Sequence, residues 1–431
     1  MLDYRFIIDN LDAVKRNIAD RYMKADADAV AALFAERNGL LGALQDLQQR
    51  RNVNAQAMKG KLDEEKRVSL VEEGKRLKGE IAAAEAALSE TEAALEREAR
   101  RIPNMAHPDA PRGKEDKHNL EVKRVGEVRP LGFAPKDHVQ LGQDLDIIDF
   151  DSATKVSGVK FYYLKNEGVF LELGLVRYAL DILKAKGFTP FITPDIAKEE
   201  ILEGIGFNPR GAESNVYALE GEGACLVGTA EITLGGYYSG AIIARDRLPL
   251  RMAGLSHCFR REAGAAGQFS KGLYRVHQFT KLEMFVYCLP EDSGAMHEEL
   301  RSIEEEIFAG LEIPFRVVDT CTGDLGAPAY RKWDLEAWMP GRASPSSPNG
   351  GEWGEVTSTS NCTDYQARRL NIKYKDDDGK NKFLHMLNGT AIAVSRAIVA
   401  ILENFQQEDG SVRLPRALVP YCGFEAIRKE K

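Results

Sequence analysis

Two short polar stretches near the middle of the chain carry the residue types of a nucleotide site. They lie at residues 259–262 (FRRE) and 275–279 (RVHQF), and each pattern predicts a strand. Because strand side chains alternate, the residues expected on one common face are Arg260 and Glu262 of the first strand and Arg275, His277 and Phe279 of the second. The planar guanidinium group of arginine can donate two parallel hydrogen bonds to phosphate oxygens, and a phenylalanine ring can stack on a base. The pair could therefore hold a nucleoside triphosphate, and salt-bridged surface strands are the alternative.

The surrounding sequence extends this polar face and excludes one kind of phosphate site. The phosphate-loop pattern G-x-x-x-x-G-K-S/T does not occur, so a triphosphate site would have to lie on the sheet. Residues 281–284 (KLEM) continue the second strand. Strand alternation then places Glu283 on the same face as Arg275 and Phe279.

Two further clusters are rich in oxygen-bearing side chains. In residues 228–231 (GTAE), the Thr229 hydroxyl and the Glu231 carboxylate form an acceptor pair for a small zwitterion, or alternatively an ordinary helix N-cap. Residues 354–361 (GEVTSTSN) combine carboxylate, hydroxyl and amide oxygens, which suit Mg²⁺ ions that bridge phosphates. A polar edge strand is the alternative for this second cluster.

Arg396 is the single charge in the apolar helical segment 387–400. An unpaired buried charge is very costly, so this guanidinium needs a partner, either a triphosphate or a structural carboxylate. Upstream, residues 186–194 predict a helix that ends at Gly187 and an extended segment that ends at Pro194.

These clusters all lie in a mixed α/β body that follows a change of composition near residue 110. Before that point, residues 28–102 contain no proline and have leucine and isoleucine at heptad spacing. The heptad positions are Leu33, Leu40 and Leu47 in the first series and Ile81, Leu88, Leu95 and Ile102 in the second. With a reversal at residues 58–63, the two series predict an antiparallel helical hairpin on the order of 50 Å long.

The distal half and the tip of this predicted hairpin are basic. The basic residues there include Arg50, Arg51, Lys59, Lys61, Lys75 and Arg76. A concentration of positive charge at one end of a rod indicates contact with a polyanion. The alternatives are a dimerisation rod and a solvated helical pair.

Bulk properties narrow the class of protein. The formal net charge of -8 argues against a general polyanion binder, so a nucleic-acid partner would need a local basic surface. No run of 18 apolar residues predicts a membrane span, and the first residues lack the pattern of a secretory signal. The six cysteines include no C-x-x-C pair, which disfavours a disulfide framework and a cysteine zinc site. We expect a cytoplasmic protein.

Taken in order, the clusters resemble the three signature motifs of class II aminoacyl-tRNA synthetases. Those motifs are the Pro194 junction, the pair at 259–262 and 275–279, and the Arg396 helix. The segments that resemble the seryl-tRNA synthetase family in particular are 229–231 (TAE), 323–326 (GDLG), 334–340 (DLEAWMP) and 366–369 (QARR). The N-terminal helical hairpin is also typical of that family, so the resemblance covers essentially the whole chain.

The resemblance implies an α+β fold, in which an antiparallel sheet flanked by helices follows a coiled-coil arm. Residues 1–110 would form a tRNA-binding domain, with the arm at about 28–102, and residues 111–431 would form the catalytic domain. The resemblance further implies a homodimer formed through the Pro194 motif. In the implied reaction the serine carboxylate attacks the α-phosphate of ATP, and the seryl group then passes to tRNA(Ser), with tRNA(Sec) as a second candidate acceptor. No protein nucleophile is required, so catalysis rests on positioning and charge stabilisation.

The resemblance also implies roles for individual residues. Arg260 would neutralise the α-phosphate, and Arg275 and Arg396 would hold the β- and γ-phosphates. The implied ATP-binding residues are Arg260, Arg261, Glu262, Arg275, Phe279, Glu355, Val356, Thr357, Ser358 and Arg396. Glu355 and Ser358 would bind Mg²⁺. The implied serine-binding residues are Thr229, Ala230, Glu231, Glu283, Asn388 and Thr390. The basic arm residues would contact the phosphates of the long variable arm of tRNA.

The chain departs from the family pattern at three places. Arg261 occupies a position where a small residue is common, the loop 267–271 lacks the usual acidic residue, and Ala391 and Ser395 replace frequent glycines. Two other functions are alternatives to the implied one. A catalytically altered paralogue that loads an amino acid on another acceptor would lack the long basic arm. A catalytically inactive tRNA-binding homologue would lack the ATP ligands. This chain has both the long basic arm and the ATP ligands.

Overall fold

The computed structural model describes residues 1–208, 214–263, 271–342 and 350–429. These residues form two compact units, Met1–Met105 and Ala106–Lys431. The sequence predicts the corresponding domain boundary at residue 110. Residues 267–270 of the loop that departs from the family pattern lie outside the described residues.

The first unit is helical. Its helices are α1 (Tyr4–Asp9), α2 (Leu11–Asp20), α3 (Ala27–Ala57) and α4 (Glu64–Arg101). At 1.5 Å per residue, the 31 residues of α3 span about 46 Å. The side chain of Asp63 accepts a hydrogen bond from the Lys66 N–H (2.8 Å) and caps the start of α4 after the reversal.

Helices α3 and α4 form an antiparallel hairpin. Ion pairs join Arg37 to Glu92 (3.0 Å) and Arg50 to Glu73 (3.1 Å), so the position on α4 decreases as the position on α3 increases. Buried side chains of the seam are Leu44, Leu77, Ile81 and Leu95. The predicted helical arm is therefore confirmed. Of its predicted heptad positions, Ile81, Leu95 and Ile102 are buried, and Leu33, Leu40, Leu47 and Leu88 are half-buried.

The second unit is a mixed α+β body. Its strands are β1 (Leu120–Val125), β2 (Ile148–Asp149), β3 (Tyr163–Leu164), β4 (Thr189–Ile192), β5 (Ile196–Lys198), β6 (Tyr217–Leu219), β7 (Ala224–Leu226), β8 (Ile242–Ile243), β9 (Leu250–Phe259), β10 (Gln278–Cys288), β11 (Phe315–Asp319), β12 (Arg331–Met339), β13 (Glu352–Asn361), β14 (Lys373–Lys375), β15 (Asn381–Phe383), β16 (His385–Ala393), β17 (Val412–Arg413) and β18 (Ala426–Ile427). Its α-helices are α5 (His138–Asp144), α6 (Phe150–Ser157), α7 (Glu167–Ala185), α8 (Glu199–Ile205), α9 (Ala230–Gly236), α10 (Ser293–Gly310), α11 (Tyr365–Arg369), α12 (Val394–Asn404) and α13 (Val419–Cys422).

An eight-stranded sheet organises this unit. The strand order is β1-β11-β12-β13-β16-β10-β9-β4, and every neighbouring pair is antiparallel except β4 and β9. Helices α7, α10 and α12 cover one face with apolar side chains such as Leu175, Ile303 and Ile398. Alternate residues of β10, such as Leu282 and Met284, point into that core, so their neighbours are presented on the opposite face. The α+β fold predicted from the resemblance is confirmed.

The two strands predicted around the arginines are shorter than expected. Strand β9 ends at Phe259 and β10 begins at Gln278, so Arg260, Glu262 and Arg275 lie in the connecting segments. Glu262 has φ 48°, a left-handed conformation that a strand does not accommodate. The prediction of a strand at 259–262 is therefore wrong beyond its first residue.

Two β-bulges interrupt the central strands. Between β12 and β13 the partners change from Leu335–Thr357 to Glu336–Glu355, so Val356 is the extra residue. Between β10 and β16 the partners of Leu282 and Glu283 are Ile392 and Thr390, so Ala391 is extra there. A bulge shifts the side-chain alternation by one position along the bulged strand.

Among the helices in the described parts of the chain, none is long and apolar enough to cross a membrane.

Candidate active site

A cleft of about 700 Å³ lies on the face of the large sheet opposite α7, α10 and α12. Strands β10, β13 and β16, the N-terminus of α9 and the start of α12 contribute to its wall. The predicted site residues that line it are Thr229, Glu231, Arg260, Glu262, Arg275, Phe279, Glu283, Glu355, Val356, Thr357, Ser358, Asn388, Thr390 and Arg396. The fold therefore brings together side chains from separate segments of the sequence.

Two predicted site residues do not line the cleft. Ala230 is buried beneath β9, where a Cβ added to Gly254 would come within 3.0 Å of the Ala230 Cβ. Arg261 is exposed, and its N–H donates a hydrogen bond to the Asn215 carbonyl (2.9 Å). His277, expected on the face of Phe279, instead donates from Nδ1 to the Arg260 carbonyl (2.9 Å) outside the cleft.

Arginines dominate one end of the cleft. The Nε of Arg260 donates to the Gly228 carbonyl (3.2 Å), and its guanidinium carbon lies 5.4 Å from the centroid of the Phe279 ring. The Nη1 of Arg275 lies 3.3 Å from Glu262 Oε2. Because planar guanidinium groups match phosphate oxygens, this end suits a chain of phosphates next to a stacked ring.

The predicted helix at 387–400 is wrong for residues 387–393, which belong to β16, and α12 begins at Val394. Arg396 on α12 has the carboxylate partner that a buried charge requires. Its Nη1 donates to both the backbone carbonyl and the Oε1 of Glu355, each at 3.0 Å. Burial favours the neutral acid, but Arg396 and Lys332 outweigh it, so the pKa of Glu355 lies below its usual value. A structural carboxylate is therefore present, and it belongs to the cleft itself.

The bulge at Val356 explains how Glu355 and Ser358 reach the same cleft. Residues three apart on a regular strand would face opposite sides, whereas one extra residue restores a common side. Thr357 also lines the cleft, and its hydroxyl donates to Glu304 Oε2 of α10 (3.1 Å).

The oxygen atoms near this bulge fit a hard metal ion. In the described ranges, no group of three His, Cys, Asp or Glu residues could hold a metal alone. Glu355 and Ser358 offer a carboxylate and a hydroxyl. Such a partial set fits Mg²⁺, which takes most of its ligands from phosphate and water when it is bound with a nucleotide.

Carboxylates dominate the other end of the cleft. Glu231 Oε1 accepts hydrogen bonds from Gln366 Nε2 (2.8 Å) and Asn388 Nδ2 (3.1 Å). Burial, and next the nearby Glu283, raise the pKa of Glu231 to about 7. The Thr229 hydroxyl accepts from the Glu231 N–H (3.2 Å) and caps α9, as the N-cap interpretation of this cluster predicts.

Glu283 is buried beside this end of the cleft. It forms an ion pair with Lys281 and accepts a hydrogen bond from the Thr390 hydroxyl (3.3 Å). The alternation Phe279, Lys281, Glu283 confirms that this part of β10 presents one face to the cleft. Carboxylates, hydroxyls and an amide here suit a small polar molecule with a positive charge.

Sequence reasoning missed several residues in or beside the cleft, and three of them contact predicted site residues. Lys281 could have been identified from the sequence, because strand alternation places it on the same face as Phe279 and Glu283. Gln366, which holds Glu231, belongs to the QARR segment, but its type alone gave no role. No sequence pattern pointed to Tyr274. Its hydroxyl donates to the Glu355 carbonyl (3.0 Å), and its ring lies 4.8 Å from the guanidinium of Arg396.

Comparisons with known proteins agree over the whole chain. Residues 1–106 match the seryl-tRNA synthetase N-terminal domain, and residues 217–405 match the tRNA synthetase class II core domain (G, H, P, S and T). The serine–tRNA ligase of Treponema denticola is 71% identical over 427 residues, which are 99% of this chain and 100% of that protein. The corresponding ligase of Treponema pallidum is 59% identical over 427 residues, covering 99% of each chain.

Solved structures show the same architecture. The crystal structure of seryl-tRNA synthetase from Pyrococcus horikoshii complexed with ATP has a TM-score of 0.90 and 40% identity, with 100% of both chains covered. The cytoplasmic serine–tRNA ligase of Naegleria fowleri, in complex with AMP, has a TM-score of 0.85 and 30% identity, covering 98% of this chain and 96% of that one. On the strength of these matches and of the cleft, the chain belongs to the seryl-tRNA synthetase family.

Proposed function

We propose that the protein is a serine–tRNA ligase that forms seryl-adenylate from L-serine and ATP and then transfers serine to tRNA(Ser). The observation that carries this proposal is the division of one cleft into an arginine-rich end and a carboxylate-rich end. A phosphate chain and a small zwitterion bound at these ends would meet at Arg260. Catalysis would then consist of alignment and charge stabilisation.

At the arginine-rich end we assign the nucleotide. Arg260 neutralises the α-phosphate during attack by the serine carboxylate, and Phe279, which lies against Arg260, stacks on the adenine. Arg275 and Arg396 hold the β- and γ-phosphates. Their present partners, Glu262 and Glu355, keep both guanidinium groups in place at the cleft wall.

At the carboxylate-rich end we assign serine. Glu231 Oε1 is already occupied by two donors, so its second oxygen is the one that can receive the substrate. Thr229, Glu283, Asn388 and Thr390 supply further polar contacts. A pocket built to hydrogen-bond a hydroxyl rejects alanine, because alanine leaves those buried groups unpaired.

We assign Mg²⁺ to Glu355 and Ser358. The ion supplies charge neutralisation for the phosphate oxygens when it is bound. Glu355 suits this role because its lowered pKa keeps the carboxylate ionised at neutral pH. Its second role, holding Arg396 at 3.0 Å, couples the metal ligand to the phosphate-binding helix.

We assign tRNA binding to the helical arm, with Arg50, Arg51, Lys59, Lys61, Lys75 and Arg76 meeting phosphates of the long variable arm. Arg50 and Arg76 both contact Glu73 (3.1 Å and 2.6 Å). Exposed pairs of this kind are weak, so these arginines can exchange the carboxylate for a phosphate. This basic arm favours tRNA over another acceptor.

We also propose that the enzyme is a cytoplasmic homodimer. All six cysteines are buried thiols, which suits a reducing compartment. On the second unit, α7 and edge strand β4 expose large apolar side chains, among them Phe170, Leu173 and Ile192 (87% exposed). An apolar patch on an edge strand and the adjoining helix suits a second copy of the same surface.

The decisive test is ATP–pyrophosphate exchange with serine, threonine and alanine, followed by transfer of labelled serine to tRNA. Exchange should depend on serine, and the label should appear on tRNA. Arg260→Ala serves as the control, because loss of a group that stabilises the transition state lowers the rate by about 10²–10³. Label on another acceptor would favour the altered paralogue. Exchange by Arg260→Ala at the wild-type rate would contradict the role of Arg260.

A further inference from the structure

A buried pair outside the cleft, His138 and Glu403, connects the segments that carry the phosphate-binding arginines. Glu403 lies seven residues after Arg396 on α12, which places both on one side of the helix. Its side chain is fully buried and accepts three hydrogen bonds. The donors are the His138 N–H (3.1 Å), the His138 Nδ1 (2.8 Å) and the Gly341 N–H (2.9 Å).

The partners of His138 determine its tautomer. Its Nε2 lies 3.2 Å from the Leu273 backbone nitrogen, which can only donate. Nε2 therefore accepts, and Nδ1 carries the proton that is donated to Glu403. One neutral imidazole thus joins α12 to the segment around Leu273, immediately before Tyr274 and Arg275.

Two glycines permit this close approach. A Cβ added to Gly272, which has φ +62°, would lie 2.2 Å from His138 Nε2. A Cβ added to Gly341 would lie 2.9 Å from the carboxyl carbon of Glu403. Any larger residue at either position would displace the pair, so both backbones are fitted to it.

The two connected segments meet again at Tyr274. Gly341 is followed by Arg342, whose guanidinium carbon lies 3.7 Å from the centroid of the Tyr274 ring. The guanidinium of Arg396 lies 4.8 Å from the same centroid. A Cβ on Gly354 would come within 2.6 Å of Arg342 Nη1, so the missing side chain leaves room for Arg342.

We propose that His138 and Glu403 are positioning residues that set the spacing of Arg275 and Arg396 for the phosphates of ATP, with Arg342 and Tyr274 as the link between them. The pair itself touches no substrate, because neither residue lines the cleft. The inference rests on the proposed nucleotide roles of Arg275 and Arg396. It adds that ATP binding depends on a buried hydrogen-bond network behind the site.

Glu403→Gln is the sharpest test, because the shape is kept while one acceptor oxygen becomes a donor. The new amide would face either the Gly341 N–H or His138. In the second case the imidazole would have to move its proton to Nε2, and the Leu273 N–H would lose its acceptor. We expect the KM for ATP in pyrophosphate exchange to rise by about tenfold or more, since small displacements of aligned groups are costly. The KM for serine should change by less than about twofold.

Gln406→Glu is the matched control. Gln406 is buried three residues later. It accepts from the Lys136 N–H (2.9 Å) and donates to the Lys136 carbonyl (3.0 Å) and to the backbone carbonyl of Glu403 (2.9 Å), and it does not contact the Glu403 carboxylate. It therefore ties the end of α12 to the segment before α5 without contacting Leu273 or Gly341. A merely structural role would make both variants lower the thermal midpoint and leave the ratio of the two KM values unchanged.

The outcomes separate this inference from the proposed function. An unchanged KM for ATP in folded Glu403→Gln, or an equal increase in Gln406→Glu, would overturn the positioning role. If Glu403→Gln does not fold, Arg342→Gln, at a partly exposed position, should raise the KM for ATP by about threefold, and no increase would refute the link. Arg396→Ala is the reference. If it leaves the KM for ATP unchanged, the proposed nucleotide site is wrong, and not only its positioning.

Discussion

Glu231 shows how burial raises the pKa of a single side chain at the carboxylate-rich end of the cleft. Its carboxyl is held by Gln366 and Asn388 and lies near Glu283, and its pKa is raised to about 7 by burial first. The carboxylate that a positively charged substrate needs is therefore incompletely formed at neutral pH. An ammonium group that enters the cleft would favour ionisation of Glu231.

This shift predicts a pH dependence of serine binding. Below about pH 7 Glu231 is protonated and cannot attract the ammonium group, so the KM for serine should fall as pH rises from about 6 to about 8 and level off above. Pyrophosphate exchange over this range measures the effect. Glu231→Gln should raise the KM and remove this pH dependence. An unchanged slope in the variant would assign the titration to another group.

The raised pKa of Glu231 also makes the free energy of unfolding depend on pH, in the direction opposite to that of serine binding. The folded protein binds the proton of Glu231 more tightly than the unfolded chain does. The stabilisation is complete below the ordinary pKa of 4.5 and is lost as pH rises through about 7. Serine should therefore protect the protein against unfolding more strongly at about pH 8 than at about pH 6.

Most polar residues of the cleft could be predicted from their types and spacing, because charged groups that share a strand face are visible in the sequence. Arg261 and Ala230 show the limit of that approach. Both adjoin residues that line the cleft, but Arg261 follows the end of β9 and Ala230 lies on the inner side of α9. The pattern did not reveal that β9 ends at Phe259 or that the backbone of Glu262 is left-handed.

At the scale of elements, the bulges were the feature least accessible to sequence reasoning. Heptads and strand alternation predicted the arm and the sheet, since both patterns are regular. The extra residues Val356 and Ala391 break the alternation, and only the pairing with β12 and β10 reveals them. The segments to which we assign serine and ATP binding each contain such a shift.

The helical arm predicts a separation of the two reaction steps. Deletion of residues 30–100 should leave serine-dependent pyrophosphate exchange intact, because the cleft is built from the second unit alone. Transfer of serine to tRNA should be lost. For the intact protein, tRNA affinity should fall steeply between low and moderate salt while serine affinity changes little. Full charging by the deleted protein, or equal salt slopes, would contradict the assignment of the arm.

At the scale of the whole molecule, the apolar patch of α7 and β4 predicts self-association. Ile192→Glu would place a charge in the proposed dimer surface, and we expect the particle to shift toward the 47.8 kDa monomer. Light scattering after size exclusion measures the mass. Val53→Glu, an equally polar change at an exposed valine of α3, is the control and should leave the mass unchanged. A monomeric wild-type protein would refute the proposed homodimer.

The position of the turn between α3 and α4 in the sequence determines the length of the arm. It occupies residues 58–63, and the heptad seam on either side repeats every seven residues. Removing one heptad from each helix beside the turn would keep the seven-residue repeat of the remaining seam and shorten the arm by about 10 Å. The length of the arm can therefore change in steps of one heptad per helix. Such a change leaves the second unit, Ala106–Lys431, unaltered.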